Sequence, residues 1–148
     1  MLEMKAYDQD YVAACRARDE SQVAMFHEVV TAARSHRGDG TDLESALDSL
    51  ESEYFNNMLI VLEGCFAYRS RAVEGADGNP LNEVRVLARS LVQNGGTVVA
   101  DAQLPLDPAR SVLGLEVGDS VRLTLQDYRR VSDAFFREIE RRFIDEQH

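Results

Sequence analysis

Apolar side chains recur at helical spacing over four stretches of this chain, each bounded by Gly, Pro or a capping residue. From about Tyr7 to Ser35, one stripe holds Tyr11, Cys15, Met25, Val29 and Ala32. A second stripe holds Val12, Val23, Phe26, Val30 and Ala33. No Gly or Pro interrupts them, so the spacing predicts a long helix whose second half is buried on a wide face. Gly38-Asp39-Gly40 is its expected stop. Thr41-Asp-Leu-Glu44 has the form of a capping box and opens the next helix.

In that second helix Leu43, Leu47, Leu50, Tyr54, Val61 and Tyr68 form one stripe, and Phe55, Leu59, Leu62, Phe66 and Val73 another. Only Gly64 interrupts the pattern before Glu74. A continuous helix of about 33 residues gives a rod on the order of 50 Å. The expected radius of gyration of a chain this size is only about 15 Å. A rod that overhangs its own chain, apolar on two sides, predicts a homodimer.

Gly75-Ala-Asp-Gly78 reads as a turn, followed by Asn79 as N-cap and Pro80 at the first helical position. Leu81, Val84, Ala88 and Leu91 are the buried stripe of this shorter helix, and Asn94-Gly95-Gly96 ends it. The period then changes. Thr97-Val-Val-Ala is β-prone, Leu104 to Pro108 is a proline-bearing loop, and Leu113 to Leu123 alternates around Val117-Gly118-Asp119. This predicts a small antiparallel strand pair, with a helical turn around Ala109 to Leu113 as the alternative. Thr124-x-x-Asp127 opens a last helix with Leu125, Tyr128, Val131, Phe135, Ile139 and Phe143 on one stripe, beside Phe136 and Ile144. Arg141 and Arg142 suit its C-terminal dipole. The fold class is therefore mainly α: an antiparallel helical bundle of three long helices and one shorter helix. A small β element lies between residues 97 and 123, and one domain spans 1–148.

Charge narrows the partners. The 148 residues carry a formal net charge of −10. Lys5 is the only lysine, and no basic run with interleaved aromatics is present, so no nucleic-acid partner is expected. The opening residues lack the apolar core of a leader, and no apolar run approaches a membrane span, so neither a leader nor a membrane partner is expected. Cys15 and Cys65 lie in apolar helical patterns without CxxC spacing. They read as reduced, buried thiols of a cytoplasmic protein.

Catalytic residues, metals and cofactors are not expected. None of His27, His36 and His148 follows a Glu by three positions, as a di-iron bundle requires. His27-Glu28 with Glu53 is the nearest approach to a metal group, and a lone His beside an apolar stripe reads as structural. Asp77-Gly-Asn79 lacks EF-hand spacing. No nucleophile elbow or phosphate-binding Gly loop is present, and Gly114-x-x-x-Gly118 lacks the following Lys.

Two polar constellations remain. The corner between the second and third helices gathers Arg69, Arg71, Glu74, Asn79, Asn82, Glu83 and Arg85, with Arg89 and Gln93 further along. Arginines beside a helix N-terminus can hold a carboxylate or phosphate. The same residues can instead pair with Glu74, Asp77 and Glu83 and fasten the corner. Asn57 sits on the Tyr54–Val61 stripe at a core-type position. It reads either as a buried polar residue setting register or a local hydrogen bond, or as an anchor in a ligand pocket.

The motifs Ala6-Tyr-Asp8, Tyr54-Phe-Asn-Asn-Met58, Arg69-x-Arg71-x-x-Glu74-Gly75, Asp77-Gly-Asn-Pro-Leu-Asn-Glu-Val-Arg-Val86 and Ser111-Val-Leu-Gly-Leu115 with Val117-Gly-Asp119 span nearly the whole chain. Together they resemble a family of short actinobacterial proteins with no established activity. The resemblance implies a soluble, cytoplasmic, single-domain protein and supplies no catalytic residues. The function expected is a non-enzymatic helical interaction or regulatory protein acting as a homodimer. The alternative is a binder of an anionic small molecule, or a minor enzyme, at the corner. Arg69, Arg71 and Arg85 would then contact the anion, and Glu83 or Glu74 would be the acid/base group.

Overall fold

A computed structural model describes residues 3–36 and 41–144. The Gly38–Gly40 break, the Thr41 side chain and His148 lie outside the described residues. Among the described residues five helices follow one another: α1 (Gln9–Ser35), α2 (Thr41–Cys65), α3 (Arg71–Glu74), α4 (Pro80–Gln93) and α5 (Leu125–Phe143). The mainly α bundle read from the sequence is the observed architecture.

The centre of the fold is α5. Its Leu125, Tyr128, Val131, Phe135, Phe136, Ile139 and Phe143 are all buried. It packs against α1, α2 and α4, while α2 also packs on α1 and α4. Ion pairs and rings set the directions. Arg16 reaches Asp133 and Glu140, and Asp19 reaches Tyr128 and Ser132, so α1 and α5 run antiparallel. Phe55 stacks on Tyr128 and Phe66 lies against Phe135, so α2 and α5 run parallel. Both halves of the Thr124–Asp127 capping box are formed at the start of α5. Asn79 caps α4, with Pro80 in its first turn.

Four expectations are corrected. First, α2 ends at Cys65 and does not continue to Glu74. At 25 residues it is about 37 Å long, so the 50 Å rod is not formed. Second, the strand pair is reduced to one antiparallel bridge, Thr97 with Ser120, among the described residues. Val98 N–H donates to Asp119 O at 2.8 Å and Val121 N–H to Gly96 O at 2.7 Å. The pairing therefore joins the end of α4 to the chain entering α5, and does not fold about Val117-Gly118-Asp119. Third, the wide buried face of α1 is narrower than its two stripes. Val12, Val23, Phe26 and Val30 are buried, but Met25 and Val29 are each 56% exposed. Fourth, the first stripe of α2 is buried only in part: Leu47 belongs to the core, whereas Leu50 and Val61 are 45% and 55% exposed.

An N-terminal strap has no periodicity to announce it. Met4 N–H donates to Tyr68 O at 2.8 Å, Ser70 N–H donates to Met4 O at 2.7 Å, and Tyr7 N–H donates to Phe143 O at 2.5 Å. Asp8 then caps α1 by accepting from Asp10 N–H at 2.7 Å. The strap lays the Tyr7 ring edge-on to Phe66, over the place where α2 stops.

Candidate functional site

The corner is built where α2 ends. Phe66 N–H turns back to Glu63 O and Arg69 N–H to Phe66 O, both at 3.2 Å. Ser70 caps the single turn of α3 through Val73 N–H. This reversal drives Arg69 inward, to 2% exposure. Its guanidinium donates to Glu74 Oε1 at 2.7 Å, Glu63 Oε1 at 2.9 Å, Phe66 O at 3.1 Å and Leu81 O at 3.0 Å. It also lies over the Phe135 ring, 5.4 Å from the centroid. Glu74 is fully buried. Besides Arg69, its carboxylate accepts from Arg85 at 2.5 and 3.2 Å and from Asn82 Nδ2 at 2.7 Å. Two arginines thus meet two carboxylates, Glu63 and Glu74, and their formal charges cancel.

Surrounding backbone locks the cluster. Gly75 and Gly78 sit at φ 78° and 82°, in the left-handed region. A Cβ on Gly78 would come within 3.2 Å of Asp107 Cβ. Asn82 donates to Gly75 O at 3.0 Å and accepts from Gly78 N–H at 3.0 Å. Asn79 caps Leu81 and Asn82 N–H and donates to Glu74 O at 2.9 Å and Asp77 Oδ1 at 2.7 Å.

The two carboxylates respond oppositely. Burial pushes Glu63 up, and the pull of Arg69 and Arg85 does not fully offset it. Burial also opposes ionisation of Glu74, but the bonds from Arg85 and Asn82 and the charges of Arg69 and Arg85 outweigh it and hold that carboxyl low. The stability Glu74 contributes is therefore present above its unfolded value of 4.5 and is lost as pH falls through its folded value.

Not every residue of the expected corner joins this cluster. Arg71 is half-buried on α3 and makes no ion pair among the described residues. Glu83 is buried but faces the other way. It accepts from Ser111 Oγ at 2.9 Å, Val112 N–H at 2.8 Å and Leu113 N–H at 3.0 Å, pinning the loop over α4. Glu63 belongs to the cluster and was missed, because the continuous-helix reading kept it apart from Arg69. Arg89 pairs with Asp101, away from the corner.

Asn57 is exposed, which corrects its reading as a core position. Its half-buried neighbour Asn56 carries the polar fastening role. Asn56 Nδ2 donates to Val121 O at 2.9 Å and Oδ1 accepts from Leu123 N–H at 3.2 Å. Glu51, five residues earlier on α2, accepts from Leu125 N–H at 3.0 Å. Together they fasten the chain entering α5 to α2. Asn56→Ala is expected to lower stability by about 1–3 kcal/mol, because it strands two backbone groups. Asn57→Ala should stay within about 0.5 kcal/mol of wild type. Urea unfolding of both proteins checks the contrast.

A second polar nest lies between α1 and α5. Asp19 accepts from Tyr128 Oη and, at 2.6 Å, from Ser132 Oγ. A cleft of about 470 Å³, lined by Arg16, Asp19, Arg129, Ser132 and Asp133 among others, opens beside it. The sequence held a signal for it: Asp19 lies four residues from both Cys15 and Val23, on the buried stripe. Burial raises the Asp19 carboxyl above its ordinary value of 3.8. Folded chain thus holds this proton longer than unfolded chain, so wild-type stability falls as pH rises through the folded value. Asp19→Asn removes that term. Its urea midpoint, relative to wild type, should climb as pH is raised from about 4 to about 7.

In chemical terms the corner is a neutral, closed ion cluster with its arginine donors engaged. Asp19 has both oxygens occupied by hydroxyl donors. Among the described residues, no three His, Cys, Asp or Glu side chains converge as metal ligands, and no helix is long and apolar enough to cross a membrane. No family model, curated protein or solved structure matches the chain. The resemblance to short actinobacterial proteins rests on the quoted motifs alone.

Proposed function

We propose that this protein is a helical interaction or regulatory module that works as a cytoplasmic homodimer, pairing through the outer flank of α1 and α2. The observation that carries this is the exposed apolar edge shared by the two helices. Met25 and Val29 stand one turn apart on α1, and Leu50 and Val61 stand on α2, each 45–56% exposed. Tyr54 Oη donates to Gln22 O at 3.0 Å, which places the Leu50–Tyr54 edge beside the Gln22–Met25–Val29 edge. Tyr11 and Tyr68, at 37% and 62% exposure, extend the apolar surface toward the other end of α2. Clustered exposed apolar side chains mark interaction sites, and a stable interface takes about 800 Å² from each partner. A second copy offers the same surface, as two-fold pairing requires.

The cytoplasmic setting is supported by two free cysteines. The anionic-ligand reading has less behind it. Arg69 and Arg85 would have to give up Glu63 and Glu74, which leaves Arg71 as the remaining cation of the three. Light scattering at micromolar concentration tests the proposal. It should return about twice the chain mass of 16.6 kDa. A species of single-chain mass throughout that range would sink it.

A further inference from the structure

Cys15 on α1 and Cys65, the last residue of α2, line one narrow crevice. Both are free, and Cys15 stands on α1 between Tyr11 and Arg18, each of which bonds to Cys65. They differ in access. Cys15 is 8% exposed, whereas Cys65 is half-buried. Arg18, on the next turn of α1 from Cys15, donates from Nη2 to Cys65 Sγ at 3.2 Å. The guanidinium works against the burial that pushes the Cys65 thiol up, without overcoming it. Tyr11 Oη donates to Cys65 O at 2.6 Å and holds the end of α2 against α1. An accessible thiol beside an arginine, with a second thiol in reach, is the arrangement of a peroxide-oxidised pair.

We propose that Cys65 and Cys15 form a reversible intramolecular disulfide on exposure to hydrogen peroxide. The Cys65 thiolate attacks one peroxide oxygen. The S–O bond forms, the O–O bond breaks, and the displaced oxygen leaves as water after taking a proton. Cys65 is then a sulfenic acid. The Cys15 sulfur attacks the Cys65 sulfur, the S–S bond forms, the S–O bond breaks, and a second water leaves. In sum two thiols are oxidised to one disulfide while one peroxide is reduced to two waters. Burial and the neighbouring Cys15 push the Cys65 thiol up while Arg18 opposes them, so the reaction quickens as pH rises and thiolate accumulates. The product staples α1 to the end of α2 and does not depend on self-association.

Intact-mass and peptide-mass analysis of the full chain, treated with excess hydrogen peroxide and then alkylated under denaturing conditions, tests this. Wild type should fall from two alkylatable thiols to none, lose two hydrogens across its linked cysteine peptides, and recover both thiols with dithiothreitol. Cys15→Ser should instead collect oxygen adducts on Cys65, while Cys65→Ser should keep Cys15 reduced. Three results would overturn the proposal: wild type gaining oxygen on Cys15 or Cys65, a disulfide joining two chains, or both thiols surviving treatment that fully oxidises an exposed reference thiol. The wild-type result decides the matter even if a serine variant folds poorly.

Discussion

Glu74→Ala will lower the unfolding free energy by about 3–5 kcal/mol, the range for breaking a buried pair from one side. Glu74 is the hub of the corner, bonded to Arg69, Arg85 and Asn82 with no exposed surface of its own. Without it the cluster carries a net positive charge beneath the N-terminal strap. Glu63 alone must then offset two guanidiniums, and Arg69 is too deeply buried to reach water. Truncating Arg85 as well restores neutrality, leaving the Arg69–Glu63 pair. Glu74→Ala with Arg85→Ala should therefore be more stable than the two single losses added together, with a coupling of about 0.5–3 kcal/mol. Urea midpoints at pH 7 for the four proteins of this cycle measure it. Strict additivity would mean that the cluster is not a unit.

Val29→Glu combined with Leu50→Glu will convert the proposed dimer to a monomer. Both side chains are about half exposed and neither belongs to the core, so the folded chain should tolerate the change within about 0.5 kcal/mol per site. At a two-fold interface each substitution appears twice, so four carboxylates would be brought together and desolvated. The helical circular-dichroism signal should be unchanged while the sedimenting mass halves. A double variant that still sediments as a dimer would place the interface elsewhere, for example around Val92 or Val117, which are exposed on other parts of the surface.

Features that depend on a few adjacent residues were legible in the sequence. Asn79 with Pro80, and Thr124 with Asp127, start helices because their side chains satisfy backbone N–H groups two or three positions on. The α5 stripe was legible because a long, strongly periodic helix at the centre of a bundle leaves little choice of face. Where α2 stops was not legible. Apolar periodicity continues past Gly64, and the reversal depends on Arg69 finding Glu63, Glu74 and Leu81 O at once. Those partners assemble only in the folded chain. The Asn pair failed for a rotational reason. Neighbouring helical residues differ by about 100°, so choosing the outer stripe as core selected Asn57 over Asn56. The error in assigning faces on α1 and α2 has the same origin. An apolar stripe at a bundle edge looks like core in sequence, and here that edge is the surface the proposed dimer uses.

Hydroxyl-radical footprinting at low and high protein concentration tests the central claim most directly. Met25, Val29 and Leu50 are open to solvent in the single chain, as are Val92 and Val117 away from the flank. The account predicts that labelling of the first three slows several-fold as concentration rises, while Val92 and Val117 keep a constant rate. Equal labelling of both groups at every concentration would contradict it.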